Sequence, residues 1–248
     1  PLVSPVAPAK KGLAIASLLC GFLLCIPLFP ALAALVLGIM SLVKKNLKIT
    51  PEMTALVGKL TAGKQTLKDK TKAVKEYIQD NFRYVSMSFG DNAMEPHPTD
   101  QIFKNKYGDC KDLSLLTVAL LRAAGIEAQM ALFNQEFNIN DPRYDLPIPS
   151  LFNHVVVLVK DARGGDFYVD PLLEEYDIGQ YPLWYQGAYT FIITEDGGRF
   201  DKWPIFSEDR DRTVTDQDIT IKEDGTAVFK IEILAELDES VSLRKKIN

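Results

Sequence analysis

The chain has 248 residues, of which 47% are apolar and 25% charged, and a net charge of −5. That balance suits a globular domain with an appendage and gives no support to a nucleic-acid surface. Three cysteines without regular spacing argue against a disulfide framework or a zinc site.

Residues 1–12 form a proline-containing leader, expected to be extended and poorly ordered. From Gly12 to Val43 there is no charged residue. A continuous helix of that length would reach roughly 48 Å, more than a hydrocarbon layer of roughly 30 Å. Pro27 and Pro30 interrupt it midway. Residues 13–45 therefore read as a hydrophobic membrane segment, either one tilted span or a helical hairpin turning at 26–30. Lysines 10, 11, 44, 45 and 48 suit the hairpin, because both basic flanks then stay on one side. A buried hairpin of a soluble protein is the competing reading, and a cleaved signal peptide fits less well because the run is too long.

Thr50-Pro51-Glu52 starts a short helix that Gly63 closes. Leu67 to Phe82 is amphipathic, with Leu67, Val74, Tyr77, Ile78 and Phe82 on one side. Arg83 to Phe89 is expected to be a short strand, 90–98 a loop, and Thr99 the cap of a short helix. In Gly108-Asp109-Cys110-Lys111-Asp112 a glycine-bearing turn becomes a helix whose apolar stripe runs to Ala124. Ile126 to Phe133 reads as a strand, and 134–150 as a long loop rich in Asn, Asp and Pro. The run Val155 to Val159 implies a strand buried on both faces. Asp161 to Gly165 turns it back into Asp166–Asp170. A strand at Thr190 to Thr194 and a hairpin through Asp224-Gly225 complete the pattern.

Cys110 stands at the first turn of its helix, where free N–H groups and the helix dipole favour a thiolate. Taken alone, such a cysteine is more often a small buried residue. If Lys160 pairs with Asp166, then Val156 faces Asp170, and His154 and Asp170 become diagonal neighbours on one face. Their Cα atoms would lie about 7–8 Å apart, within reach of a side-chain hydrogen bond. Asp170 would then orient His154, and His154 would take the Cys110 proton: nucleophile, base and orienter. A half-buried histidine and a turn aspartate remain the plain alternatives. Asp112 is expected to cap the helix or to bind an incoming group in a substrate groove; Trp184, Tyr185 and Tyr181 are candidates for lining that groove, although an aromatic cluster is more often core. His97 is expected to position its loop. No metal-ligand spacing or phosphate loop is present, so no cofactor is expected.

Residues 83–172 resemble the core of the transglutaminase-like superfamily, cysteine enzymes of papain-like fold. The matching phrases are Arg83-Tyr84-Val85, Pro96-His97-Pro98, Tyr107 to Asp112, the Leu-Leu-Arg-Ala-Ala-Gly-Ile segment ending at Ile126, Asn153-His154-Val155 and Val169-Asp170-Pro171. The resemblance implies an α+β core, a Cys-bearing helix packed on an antiparallel sheet, with Cys110, His154 and Asp170 as catalytic triad. It implies attack on an amide or ester carbonyl through a thioester, resolved by an amine or by water. The Cys110 N–H is a plausible oxyanion donor and Tyr84 a candidate second one. The similar branch is bacterial and carries β domains on both sides of the core. Here residues 50–205 would form the transglutaminase-like domain and 206–248 the start of a truncated β-rich domain, the chain being a piece of a longer protein. Where that branch carries its preceding β domain, a hydrophobic segment and two helices are expected here. The expectation is a cysteine acyltransferase or peptidase acting on a peptide or protein and tethered through residues 13–43, in a bacterial inner membrane. A non-catalytic peptide- or protein-binding domain is the alternative.

Overall fold

The computed structural model describes residues 38, 41–86, 95–135, 152–206, 212–236 and 240–241. The hydrophobic run expected in the membrane lies almost wholly outside them. Residues 41–46 are helical, and among the described residues no helix is long and apolar enough to cross a membrane.

Helices come first. Thr50 caps α1 (Pro51–Thr61), its hydroxyl accepting the Met53 N–H at 3.2 Å. Thr66 caps α2 (Leu67–Asn81) by accepting the Asp69 N–H at 3.0 Å. Among the described residues of the expected strand, Arg83–Tyr84 pair as β1; residues 87–94 lie outside the description. β1 runs parallel to β2 (Tyr107–Gly108). Between them, α3 (Thr99–Asn105) has Pro98, not Thr99, at its N-cap position. Thr99 is the first helical residue, and its hydroxyl instead bonds the Lys48 carbonyl at 2.5 Å, tying the segment before α1 to α3.

The helix α4 (Cys110–Ala123) is the spine of the molecule. All its residues from Lys111 to Leu121 are buried. One side packs on α1, α2 and α3, the other on strands β3 (Ala128–Phe133) and β4 (His154–Val159). With β5 (Phe167–Val169), β6 (Tyr189–Ile193) and β7 (Gly198–Lys202), these strands form an antiparallel sheet in the order β5-β4-β3-β6-β7. Alternation along β4 divides two cores. Val155, Val157 and Val159 meet the helices; Val156 and Leu158 meet an aromatic layer of Tyr168, Tyr181, Tyr185 and Trp203. So β4 is covered on both faces, which explains why its sequence carries no polar alternation. The polar edge strand β7 was not foreseen from the sequence. Beyond Arg212, β8 (Thr213–Ile221) and β9 (Ala227–Ala235) form the expected hairpin, with β8 starting earlier than the apolar pattern implied.

Candidate active site

Cys110 is the first residue of α4 and is partly buried. Asp109 precedes it with extended backbone, and its carboxylate accepts the Asp112 N–H at 3.2 Å. Asp109 is therefore the cap, not Asp112. The capping position is the residue before the first helical one, and the helix begins at Cys110. Asp109 also pairs with the buried Lys111. Asp112 does not line a groove either, since it is 0% exposed. Its carboxylate accepts the His97 N–H at 2.8 Å and meets the His97 ring at 3.0 Å, fastening the Pro-His-Pro loop to the helix start. This is the loop-positioning role expected of His97. A Cβ on Gly108 would come within 2.6 Å of the Asp112 Cβ, so glycine is what lets β2 run this close to α4.

His154 opens β4. One turn along α4 from Cys110, the Ser114 hydroxyl donates to the Val155 carbonyl at 2.8 Å, locking the cysteine helix to the histidine strand. On the other side β4 pairs with β5 in the register Val157↔Val169, Leu158↔Tyr168, Val159↔Phe167. This is the register assumed from the turn, and it makes His154 and Asp170 diagonal neighbours. His154 Nε2 lies 2.8 Å from Asp170 Oδ2. The Cys110 side chain stands beside the His154 ring, close enough to help raise its pKa. With Nε2 engaged by Asp170, Nδ1 is the nitrogen available to the sulfur. The structure thus brings Cys110, His154 and Asp170 into one contiguous line.

Residues 54–171 match the sequence model of the transglutaminase-like superfamily. The chain carries a transglutaminase-like core. All three residues of the line fall within the matched segment. No curated protein matches the chain. Among solved structures, it is similar to a proposed protease from Parabacteroides distasonis at 16% identity and a TM-score of 0.49, covering 71% of this chain and 35% of that one. It is also similar to a proposed cysteine protease from Cytophaga hutchinsonii at 14% identity and a TM-score of 0.39, covering 78% of this chain and 55% of that one. The chain thus spans about a third of the length of the first and about half of the second.

In this transglutaminase-like core Asp170 has four partners of three kinds. Oδ2 accepts from His154 and, at 3.0 Å, from the Tyr185 hydroxyl; Oδ1 accepts the Leu172 N–H at 2.8 Å. A buried lysine, Lys75, supplies charge attraction. Gln135 donates to the Tyr185 oxygen at 2.7 Å. Tyr185 is 1% exposed, so it belongs behind the line and not in a substrate groove. Burial first, and then the Asp170 carboxylate, push its phenol far above the usual tyrosine range, which keeps it a donor. Trp184, by contrast, is 55% exposed on the 3-10 turn Leu183–Tyr185. Tyr84 is half-exposed; burial and the neighbouring Cys110 charge raise its pKa against a hydrogen bond with Ser86.

Phe133 closes the interior side, edge-on to His154 at 5.5 Å and to Tyr185 at 4.7 Å between centroids. Burial would push the His154 pKa down, but the charge and hydrogen bond of Asp170, with help from Cys110, outweigh it and lift the value to about 9. The buried imidazole, between the Cys110 side chain and the Asp170 carboxylate, is thereby held in its protonated form at neutral pH. Ser114, Gln135 and Lys75 escaped the sequence reading, and the bond of Tyr185 to Asp170 escaped it too.

Proposed function

We propose that the chain is a cysteine-dependent acyl-transfer enzyme acting on amide bonds through a thioester on Cys110. The observation that carries this is the His154 ring, held by Asp170 at 2.8 Å and placed beside the Cys110 side chain. The thiolate attacks the substrate carbonyl carbon, and the C–N bond of the resulting tetrahedral adduct breaks as His154 gives its proton to the leaving amine. Neutral His154 then removes a proton from the incoming water or amine, which attacks the thioester; the C–S bond breaks and the Cys110 thiolate and the protonated His154 are restored. Asp170 keeps the ring in one orientation throughout. The Cys110 N–H, in the first helical turn where no intrahelical acceptor is available, and the nearby Tyr84 hydroxyl are assigned to the oxyanion. Exposed Trp184 is assigned to the approach of the acyl donor. The uncharged run 13–43 is assigned as a membrane tether on its sequence alone.

The test is acylation of the detergent-solubilised chain by p-nitrophenyl acetate, read by intact mass and peptide mapping. The reading expects a hydroxylamine-labile acetyl group on Cys110, formed faster than on the urea-unfolded chain and suppressed by His154→Ala. Adding a primary amine then separates transamidation from hydrolysis by the product released. Acylation of Cys110 no faster than in the unfolded chain, and unaffected by His154→Ala, would overturn it.

A further inference from the structure

Three side chains of α2 reach the loop that follows Asp170. Lys72, Lys75 and Gln79 stand at i, i+3 and i+7, so they share one helix face. Lys72 pairs with Asp177, Lys75 donates to the Tyr176 carbonyl, and Gln79 donates to the Pro171 carbonyl at 3.2 Å. The outermost of these is a solvated ion pair. Lys75 is different, being only 5% exposed. It shares the walls of a cavity of about 10 Å³ with Asp170, Tyr168 and Trp203.

Buried charges must be balanced, because an uncompensated one in a low-dielectric interior is costly. At the site, a Cys110 thiolate, a His154 imidazolium and the Asp170 carboxylate would sum to one negative charge. The other buried pair nearby, Asp109 with Lys111, is neutral by itself. Asp112 is also buried and faces the His97 ring, and among the described residues the remaining buried cation is Lys75. The charged groups acting on it are Asp170 and Asp177, which favour its ammonium, Lys72, which opposes it, and Glu76 on its own helix. Glu174 and Glu175 line the solvent-facing cleft beside it.

We propose that Lys75 is a positioning residue of the triad, its buried ammonium balancing Asp170 while its hydrogen bond ties the Asp170 loop to α2. This rests on the thiolate–imidazolium reading above. Burial lowers the Lys75 pKa and the Asp170 and Asp177 carboxylates work against that, as expected of a cation kept inside by its neighbours.

The sign of the effect is fixed. Removing a positive charge makes the thiolate less favourable and the imidazolium more favourable, so both titrations move to higher pH. The experiment measures Cys110 alkylation by iodoacetamide against pH in the full chain and its variants, with the His154 titration followed by NMR. Lys75→Gln keeps a donor for Tyr176 but no charge. Its acidic inflexion is expected to rise by about half a pH unit or more, a loss of about threefold in rate at fixed pH on that limb. The His154 titration is expected to move in the same direction. Lys75→Arg is expected to restore the wild-type inflexion. Gln79→Leu, which loosens the loop without changing charge, is expected to lower the rate at every pH and leave the inflexion in place. If Lys75→Gln does not fold, reciprocity supplies the second measurement: Asp170→Asn must lower the Lys75 titration in its 13C-labelled side chain. An unmoved inflexion in Lys75→Gln, an equal shift in Lys75→Arg, or no response of Lys75 to Asp170→Asn overturns the proposal while leaving the triad standing. Wild-type alkylation that ignores His154→Ala overturns both.

Discussion

Asp170→Asn tests how the carboxylate acts on His154. The substitution keeps the shape and leaves an oxygen for the His154 N–H, but removes the charge. In the native protein the His154 pKa stands at about 9 against an ordinary 6.5. At 1.36 kcal/mol per unit, that difference corresponds to about 3 kcal/mol favouring the imidazolium in the folded state. Because the folded value is the higher one, this stabilisation is fully present below pH 6.5 and is lost as pH rises through 9. Burial works in the opposite direction, so without Asp170 the titration is expected to fall by more than one unit. The chain has two histidines, and a long-range 1H–15N spectrum of histidine-labelled protein resolves both, with His97→Asn for assignment. Urea unfolding of both proteins should show the variant weaker by about 2–4 kcal/mol near pH 6, with the gap narrowing above pH 9. A native His154 titrating near 6.5, or a stability gap that does not change with pH, would refute the reasoning.

Tyr185→Phe removes the hydroxyl that joins Gln135 to Asp170. With one buried donor lost and the partly buried Gln135 amide left without its acceptor, urea unfolding should show a loss of about 1–3 kcal/mol, together with slower Cys110 alkylation. Gly108→Ala places a methyl group 2.6 Å from the Asp112 Cβ. Over-packing of this kind costs about 1–3 kcal/mol. Thermal unfolding should register it, and the displaced helix start should reduce Cys110 reactivity more than the same substitution at exposed Gly58, whose added Cβ meets nothing within 4 Å.

Much of the site was legible because it rests on local rules. A glycine-bearing turn before an apolar stripe places Cys110 at a helix start, and parity across one short turn pairs His154 with Asp170 on one face. What escaped depends on how distant segments meet. Tyr185 reaches Asp170 only because the chain returns from β5 through the 3-10 turn before β6 enters the sheet beside β3. Nothing in its neighbourhood of aromatic residues separates it from exposed Trp184. Lys75 left a signal that its charge disguised. It follows Val74 and precedes Ile78 by three, so the helical period places it on the edge of the buried stripe. Asp109 and Asp112 are both plausible caps until the first helical residue is known. The edge strand β7, Gly-Arg-Phe-Asp-Lys, has one large apolar residue and none of the β-branched run that marked β4.

The most direct test of a thiolate–imidazolium site is the rate of Cys110 alkylation by iodoacetamide between pH 5 and 10, in the native chain and in His154→Ala. The account predicts substantial reactivity already near pH 6 in the native protein, and its loss in the variant until the solution approaches the ordinary thiol range of about 8.5. A native profile that rises only near 8.5 and coincides with that of His154→Ala would contradict it.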